Sequence, residues 1–464
     1  MRFACDTGGT FTDLIVEDDL GELYMYKAAT VPEDPVSGVL DALELAASDM
    51  SLKLSSLLAK GDILIHGTTH AINAIITKNT AKTAFLTTAG HPDILVLREG
   101  GRIEPFNFVT PYPEPYISRA LTFEVSERID SAGEIHTPLD EDKIIEIAKE
   151  IESQKVEAVA ICFLWSIYNP IHELRVGELL RNYLPNIPIS LSHQLNPALR
   201  EYRRASSTAI DASLKPLMGK YLGGLTERLA VEGFCGRTLV LTSQGGMLDA
   251  SDLAQKPIHA INSGPSMAPI AGRHYASEES DSPNVIIADT GGTTYDVSLV
   301  RQGRIPLTKE TWIGQPYRGH MTGFPSIDIK SVGAGGGSIA WVDSGGLLHV
   351  GPQSAGAVPG PVCYKAGGTE PTLTDACLTL GYLDANYFLG GSMQLDTEAA
   401  FHAISDRVAK PLNISVMEAS AAIVSVATEN MVQAITDITV NQGIDPGNSV
   451  LIGGGGAAGL NSVF

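Results

Sequence analysis

Short apolar runs bounded by Gly, Asp and Pro alternate along this chain with longer stretches whose apolar positions recur every three or four residues, the patterns of strands and of helices. Residues 2–5 and 14–16 are apolar runs flanking a glycine turn, and Asp18-Asp19-Leu20-Gly21 turns the chain into a third run at 23–27. The spacing predicts a helix over 35–47. Residues 63–65 read as a short strand that enters a helix over 70–77 through Gly67-Thr68-Thr69, a strand-to-helix turn of the kind that offers free N–H groups to an anion. The stretch 99–116, rich in Gly, Pro and aromatic residues, is expected to be an irregular excursion lining the substrate space. A helix over 139–153, a buried strand over 158–164 and a helix over 171–183 follow, an alternation that signals an α/β lobe.

Residues 185–192 lead into a long helical region from 197 to about 230. The chain is expected to divide into lobes 1–184 and 185–464. In the second part, 238–242 is a strand ending in Gly245-Gly246, and Ser263-Gly264-Pro265 starts a helix with an N-cap serine and a proline in the first turn. Residues 285–300 read as a hairpin. Residues 331–338, Ser-Val-Gly-Ala-Gly-Gly-Gly-Ser, are expected to be a flexible loop before a strand at 339–342, with close approach to a ligand or a partner lobe at Gly335 and Gly336. A long helix over 417–442 and a last strand over 449–452 run into Gly453-Gly454-Gly455-Gly456.

One phrase occurs twice. Asp6-Thr7-Gly8-Gly9-Thr10-Phe11-Thr12-Asp13 returns as Asp289-Thr290-Gly291-Gly292-Thr293-Thr294-Tyr295-Asp296, identical at six of eight positions. Each copy joins two strands, and glycines in such a turn allow its N–H groups to converge on one anion. Asp6 and Asp289 suit a divalent cation held through water, because magnesium sheds its waters reluctantly, while Thr10, Thr293 and Thr294 supply hydroxyls. Two such turns, one per half of a duplicated fold, predict a grip on the phosphates of a metal-bound nucleotide and the chemistry of phosphoryl transfer. No Gly-x-x-x-x-Gly-Lys-[Ser/Thr] occurs and no Gly-x-Gly-x-x-Gly follows a first strand, which disfavours P-loop and Rossmann folds.

Composition narrows the class further. Of 464 residues 44% are hydrophobic and 18% charged, the profile of a globular chain. The net charge of −21 argues against nucleic acid or an anionic membrane surface as a partner. Phosphate binding at a local cradle is compatible with that charge, since distant charges are screened. Five scattered cysteines without a CxxC pair indicate neither a disulfide framework nor a zinc site, and with no leader or membrane-spanning run they point to the cytoplasm. His66 and His70 have no neighbours that complete a metal site and are expected in the core or a turn. His320 and Asp328, flanking Phe324-Pro325, are candidate pocket residues, and no Ser/His/Asp or Cys/His set is evident.

The two phosphate phrases, with Asp13 and Asp296, and the terminal Gly453–Gly456 run resemble the phosphate and adenosine motifs of the actin, sugar-kinase and heat-shock-chaperone ATPase superfamily. His66-Gly67-Thr68-Thr69, Ser263-Gly264-Pro265, the 331–340 stretch and Gly351-Pro352-Gln353-Ser354-Ala355-Gly356-Ala357 are similar to the A-type subunit of the hydantoinase/5-oxoprolinase family, over nearly the whole chain. That resemblance implies an α/β fold of two duplicated ribonuclease-H-like lobes with ATP in the cleft between them. It implies Mg (or Mn) at Asp6 and Asp289, and nucleotide contacts from Thr7, Gly8, Gly9, Thr10, Asp13, Gly291, Gly292, Thr293, Thr294, Gly264, Gly335, Gly336, Gly454, Gly455 and Gly456. The implied reaction transfers the γ-phosphoryl group to a carbonyl or enol oxygen, then opens a cyclic amide with water or carboxylates a ketone with bicarbonate, beside a B-type partner subunit in a hetero-oligomer. Two departures touch the adenine contacts: Ser266-Met267-Ala268-Pro269 stands where the family has small glycines, and Ala458-Gly459-Leu460-Asn461 where it continues Gly-Pro-x-His. Family chains extend into a further domain, so this chain is expected to be truncated, split or degenerate. The alternatives are a nucleotide-binding scaffold subunit and a sugar kinase.

Overall fold

The structure, a computed structural model, describes residues 1–464 except 9–10, 32, 101–103, 105, 280–281, 389–390, 392 and 462–464. The chain forms two compact units, Met1–Gly264 with Leu307–Ser326, and Pro265–Pro306 with Ile327–Phe464. The division into compact units falls at Gly264/Pro265, beyond 184/185, because three strands after residue 184 complete sheets begun before it and the long helix packs on them.

The first unit opens with β1 (Arg2–Thr7), β2 (Phe11–Glu17) and β3 (Leu23–Ala29), followed by α1 (Pro35–Asp49), β4 (Ile63–Thr68) and α2 (His70–Ile76). Next come β5 (Thr83–Thr88), β6 (Thr122–Val125), α3 (Glu141–Ser153), β7 (Ala158–Cys162), α4 (Ile171–Tyr183), β8 (Ile189–Leu191), the 31-residue α5 (Glu201–Val231), β9 (Arg237–Leu241) and β10 (Met247–Asp249). One sheet runs β10-β9-β4-β1-β2-β3, with β1 antiparallel to β2 and parallel to β4. Its strands alternate as the apolar pattern requires: Phe3, Leu14, Val16 and Leu64 face a core shared with α1 and α5, while Ile15 and Met25 face solvent. A second, all-parallel sheet runs β8-β7-β5-β6. Parallel strands are covered on both faces: α3 and α4 pack on one, through Ile144, Ile147, Val176 and Leu180, and α5 lies on the other with Ala205, Ala209 and Ala212.

The second unit contains α6 (Ala268–Glu279), β11 (Val285–Thr290), β12 (Tyr295–Val300), β13 (Ile329–Val332), β14 (Ser338–Val342), β15 (Leu348–Ser354), α7 (Leu373–Thr379), α8 (Val416–Ile438) and β16 (Val450–Gly454). Its main sheet runs β13-β12-β11-β16, with β11 antiparallel to β12 and parallel to β16. This is the pairing of β3-β2-β1-β4 in the first unit, strand for strand. Ile286 and Ala288 face α7 and α8, while Val285 and Ile287 face α6. Capping boxes at Thr372/Asp375 and Ser415/Glu418 start α7 and α8.

The 331–338 stretch differs from the flexible loop expected. Ser331 and Val332 belong to β13, and Ala334 through Ser338 are buried. Glycines there allow backbone to pack on backbone, which orders the segment. The five cysteines form no disulfide. Among the described residues no single helix is long and apolar enough to cross a membrane.

Candidate functional site

The strands that flank each copy of the repeated phrase pair in the same way. In the first, Asp6 at the end of β1 stands directly opposite Asp13 of β2, and in the second Asp289 of β11 stands opposite Asp296 of β12. Directly opposed side chains in an antiparallel pair are close neighbours. The parallel strand on the other side brings Gly67 beside Asp6 and Gly454 beside Asp289. A Cβ on Gly67 would lie 2.6 Å from Asp6 Oδ1, and one on Gly455, whose φ is +87°, would collide with Asp289 Oδ1 and the Thr290 carbonyl. The glycines therefore make the space in which these carboxylates sit.

Electrostatics follow from that crowding. Although much of Asp6 is open to solvent, its carboxyl lies against Gly67, and lost hydration raises its pKa above the usual range, with the Asp13 charge pushing the same way. Burial raises Asp289 as well. Asp296 is raised by burial, partly offset by a hydrogen bond from Ser331, with the Asp289 charge adding to the rise. Asp13 is paired to Lys27 at 2.7 Å. Carboxyl groups that cost energy to leave ionised invite a cation. Among the described residues no cluster of three or more His, Cys, Asp or Glu forms a cage; a pair of carboxylates fits a hydrated Mg²⁺ that takes its other ligands from water and phosphate.

The backbone of the turns is partly committed. Gly8 N–H donates to the Phe11 carbonyl at 3.0 Å and Gly291 N–H to the Thr294 carbonyl at 2.9 Å, so these two close their turns and are not free to hold phosphate. Gly9 and Thr10 lie outside the described residues. Among the described residues no acceptor takes the Gly292 or Thr293 N–H. Thr294 Oγ1 donates to Asp296 at 3.3 Å. The Thr7 hydroxyl is buried without a partner, as is that of Ser263 beside Gly264, around which a Cβ would meet nothing within 4 Å.

Gly335 and Gly336, expected to approach a ligand, lie instead beneath the second turn. Gly336 and Gly337 N–H donate to the Gly291 and Gly292 carbonyls at 3.1 and 2.6 Å, and Thr374 donates to the Gly336 carbonyl through both its N–H and its hydroxyl at 2.8 Å. A Cβ on Gly335 would fall 2.6 to 2.7 Å from the Thr293 and Thr294 backbone. Gly454 lies within β16, and Gly456 has open space around its Cα.

The Gly67-Thr68-Thr69 turn also departs from expectation: Thr69 N–H bonds the Thr7 carbonyl at 3.3 Å and His70 N–H bonds Thr68 Oγ1 at 3.1 Å, so neither is free. The turn instead walls a cavity of about 280 Å³ lined by Thr7, Gly8, Thr69, His70 and Asn73, among others, at the first copy of the repeated phrase. Sequence reasoning placed His70 in the core or a turn and did not single out Asn73; their spacing of about one turn on α2 was the signal that both face this cavity. His66 is a core residue, bonded to the Tyr221 hydroxyl at 2.7 Å and held by burial at a pKa of about 4. His320 stacks edge-on against Tyr116 in the first unit, and Asp328 accepts from Gln442 at 3.4 Å in the second.

A mixed α/β fold with a carboxylate-flanked glycine turn in each unit defines a class, and comparison identifies it. Residues 2–184 match the model of the hydantoinase/oxoprolinase N-terminal region and residues 204–463 that of hydantoinase/oxoprolinase, so the chain belongs to the hydantoinase/oxoprolinase family. It is 39% identical to the caprolactamase subunit alpha of Pseudomonas jessenii, over 99% of this chain and 66% of that one, and 35% identical to the acetophenone carboxylase gamma subunit of Aromatoleum aromaticum, over 97% and 63%. The crystal structure of ATP-dependent caprolactamase from P. jessenii superposes with a TM-score of 0.89 at 38% identity, covering 100% of this chain and 66% of that one. The nucleotide-free structure of acetone carboxylase does so with a TM-score of 0.79 at 25% identity, with the same coverage. The chain thus spans about two thirds of the length of the relatives it matches. Relatives of this chain are ATP-dependent enzymes and are named as subunits.

Proposed function

We propose that this chain is the ATP-using subunit of an enzyme that activates a carbonyl compound by phosphorylating its oxygen, with a cyclic amide as the preferred substrate. The observation that carries the reading is the strand-for-strand repetition of a paired-carboxylate glycine turn, with a parallel strand bringing a glycine against the first aspartate of each pair. In this reading the two units are ribonuclease-H-like lobes of the actin-like superfamily, and the repeated turns serve ATP phosphates. Asp6 and Asp289 would each offer a carboxylate to hydrated Mg²⁺, which would neutralise phosphate charge, the Gly292 and Thr293 N–H groups would meet phosphate oxygens, and Gly454–Gly456 would serve the adenosine. The substrate oxygen attacks the γ-phosphorus, and the bond to the bridging oxygen breaks with its electron pair leaving on ADP. One water then adds to the carbon that bears the phosphorylated oxygen and the ring C–N bond breaks with its electron pair going to nitrogen, which leaves an acyl phosphate; a second water hydrolyses it to the carboxylate and phosphate. The likeness to caprolactamase favours this hydrolytic course over carboxylation. A B-type subunit supplying the second step and a cytoplasmic location, where five unpaired thiols stay reduced, complete the proposal.

The test is ATP consumption by the chain co-purified with its natural partner, against cyclic amides and ketones with and without bicarbonate. We expect turnover with a cyclic amide and no bicarbonate requirement, one ATP bound per chain by calorimetry, and losses of about 100-fold or more in turnover for Asp6→Ala and for Asp289→Ala. Two nucleotides per chain, or full turnover in either variant, sinks the reading; bicarbonate-dependent turnover of a ketone moves it to the carboxylase branch.

A further inference from the structure

A second cavity, of about 270 Å³, lies within the first unit between residues 97–100 and 110–113 on one side and residues of the segment 310–321 on the other. Its walls are aromatic and apolar: Tyr202 and Met321 are buried, and Trp312 and Tyr317 stand as a pair with ring centroids 5.2 Å apart. Three charged residues line it, Arg98, Glu99 and Glu310. Both glutamates are spent on Arg203, Glu99 through two bonds at 2.7 and 3.0 Å and Glu310 at 2.9 Å. Arg98 is different.

Its guanidinium meets only backbone carbonyls: Nη1 donates to Tyr317 and Gly319 at 3.2 and 2.7 Å, and Nη2 to Glu114 at 3.3 Å. Nε is buried with no acceptor, and among the described residues no carboxylate pairs with this cation. Nη2, which lies at the surface and donates once, keeps a second N–H that a carboxylate can accept. The side chain is half-buried, and a buried donor left without an acceptor is costly. The backbone adds to that cost: Arg98 sits at φ +60°, ψ −138°, a region that glycine adopts and residues with a Cβ avoid. The fold maintains both penalties at one residue on the wall of an aromatic cavity.

We propose that this cavity binds a small monocarboxylate, with the carboxylate on the exposed Nη2 of Arg98 and the apolar body against Tyr202, Trp312 and Tyr317. The site is separate from the glycine turns, and its test needs no nucleotide, so it stands or falls independently of the ATP reading.

The experiment is calorimetric titration of the whole chain with benzoate, and with benzamide as the neutral isostere, in the absence of ATP. Benzoate is expected to bind saturably at millimolar or lower concentration and benzamide about tenfold or more weakly. Arg98→Gly removes the charge and three bonds to backbone carbonyls while relieving the backbone, so the variant is first shown folded by circular dichroism, and should then weaken benzoate about tenfold or more. Trp312→Ala should weaken benzoate while leaving acetate, which has no ring, unchanged. Equal affinity for benzoate and benzamide, wild-type benzoate affinity in folded Arg98→Gly, or no saturable binding overturns the assignment. Where benzoate binds, inhibition competitive with the cyclic amide identifies a mimic of the enzyme's own substrate or ring-opened product, and binding without that competition identifies a separate effector; either keeps the assignment.

Discussion

Asp6 and Asp289 each owe their setting to a residue with no side chain on the next strand. The sequence pointed to these aspartates through the repeated phrase, and Asp296, which matches Asp13 in that phrase, was legible by the same symmetry. What the phrase did not disclose is which N–H groups remain available, because that depends on turn closure: Gly8 and Gly291 spend theirs within their own turns. Gly335 makes a prediction at this scale. A Cβ there would press on the Thr293 and Thr294 backbone with little room to yield, so Gly335→Ala should displace the second turn. Titration should show ATP affinity lowered about tenfold or more, with circular dichroism unchanged; unaltered affinity would show that the turn's position does not matter for nucleotide.

Helices and strands were the most legible level, since their signals are local. Asp140 caps α3 by accepting from Lys143 N–H, and Ser415 caps α8, where an apolar periodicity announced each helix. Strands β5, β6 and β8 were not read from the sequence, and the all-parallel sheet they form with β7 is defined by pairing between remote segments, not by any local pattern. Packing of α5 on that sheet depends on small side chains: Ala205, Ala209 and Ala212 are fully buried against Phe85, Ala158 and Ala160. Ala209→Leu adds three carbons with nowhere to go, and should cost about 1–3 kcal/mol in urea denaturation. A loss well under that range would show that the helix can move away from the strands.

Across the molecule, charge and burial act together on acid stability. His66, His259 and His320, all in the first unit, are held at a pKa of about 4, in each case chiefly by burial. Their ordinary value is about 6.5, so the unfolded chain binds protons that the folded chain refuses between these limits. Stability is therefore full above about pH 6.5 and falls as pH drops toward about 4, by roughly 3 kcal/mol for fully buried His66 alone. The raised carboxyls of Asp6, Asp289 and Asp296 act in the opposite direction and soften the slope. Melting temperature measured across that window should decline, and His66→Gln should flatten the decline; a flat wild-type profile would contradict the burial of these rings.

The chain's order of residues settled the repeated glycine turns, most helices, the alternating faces of β1 and β2, and the family to which they point, because each rests on neighbours within a few positions. Only the tertiary structure decided that residues 307–326 join the first unit, that the glycines at 335–337 are struts beneath a turn, and that Arg98 stands in an aromatic cavity without an anion. Those facts belong to segments tens to hundreds of residues apart, and whether a donor is free or spent is fixed by what folding brings against it.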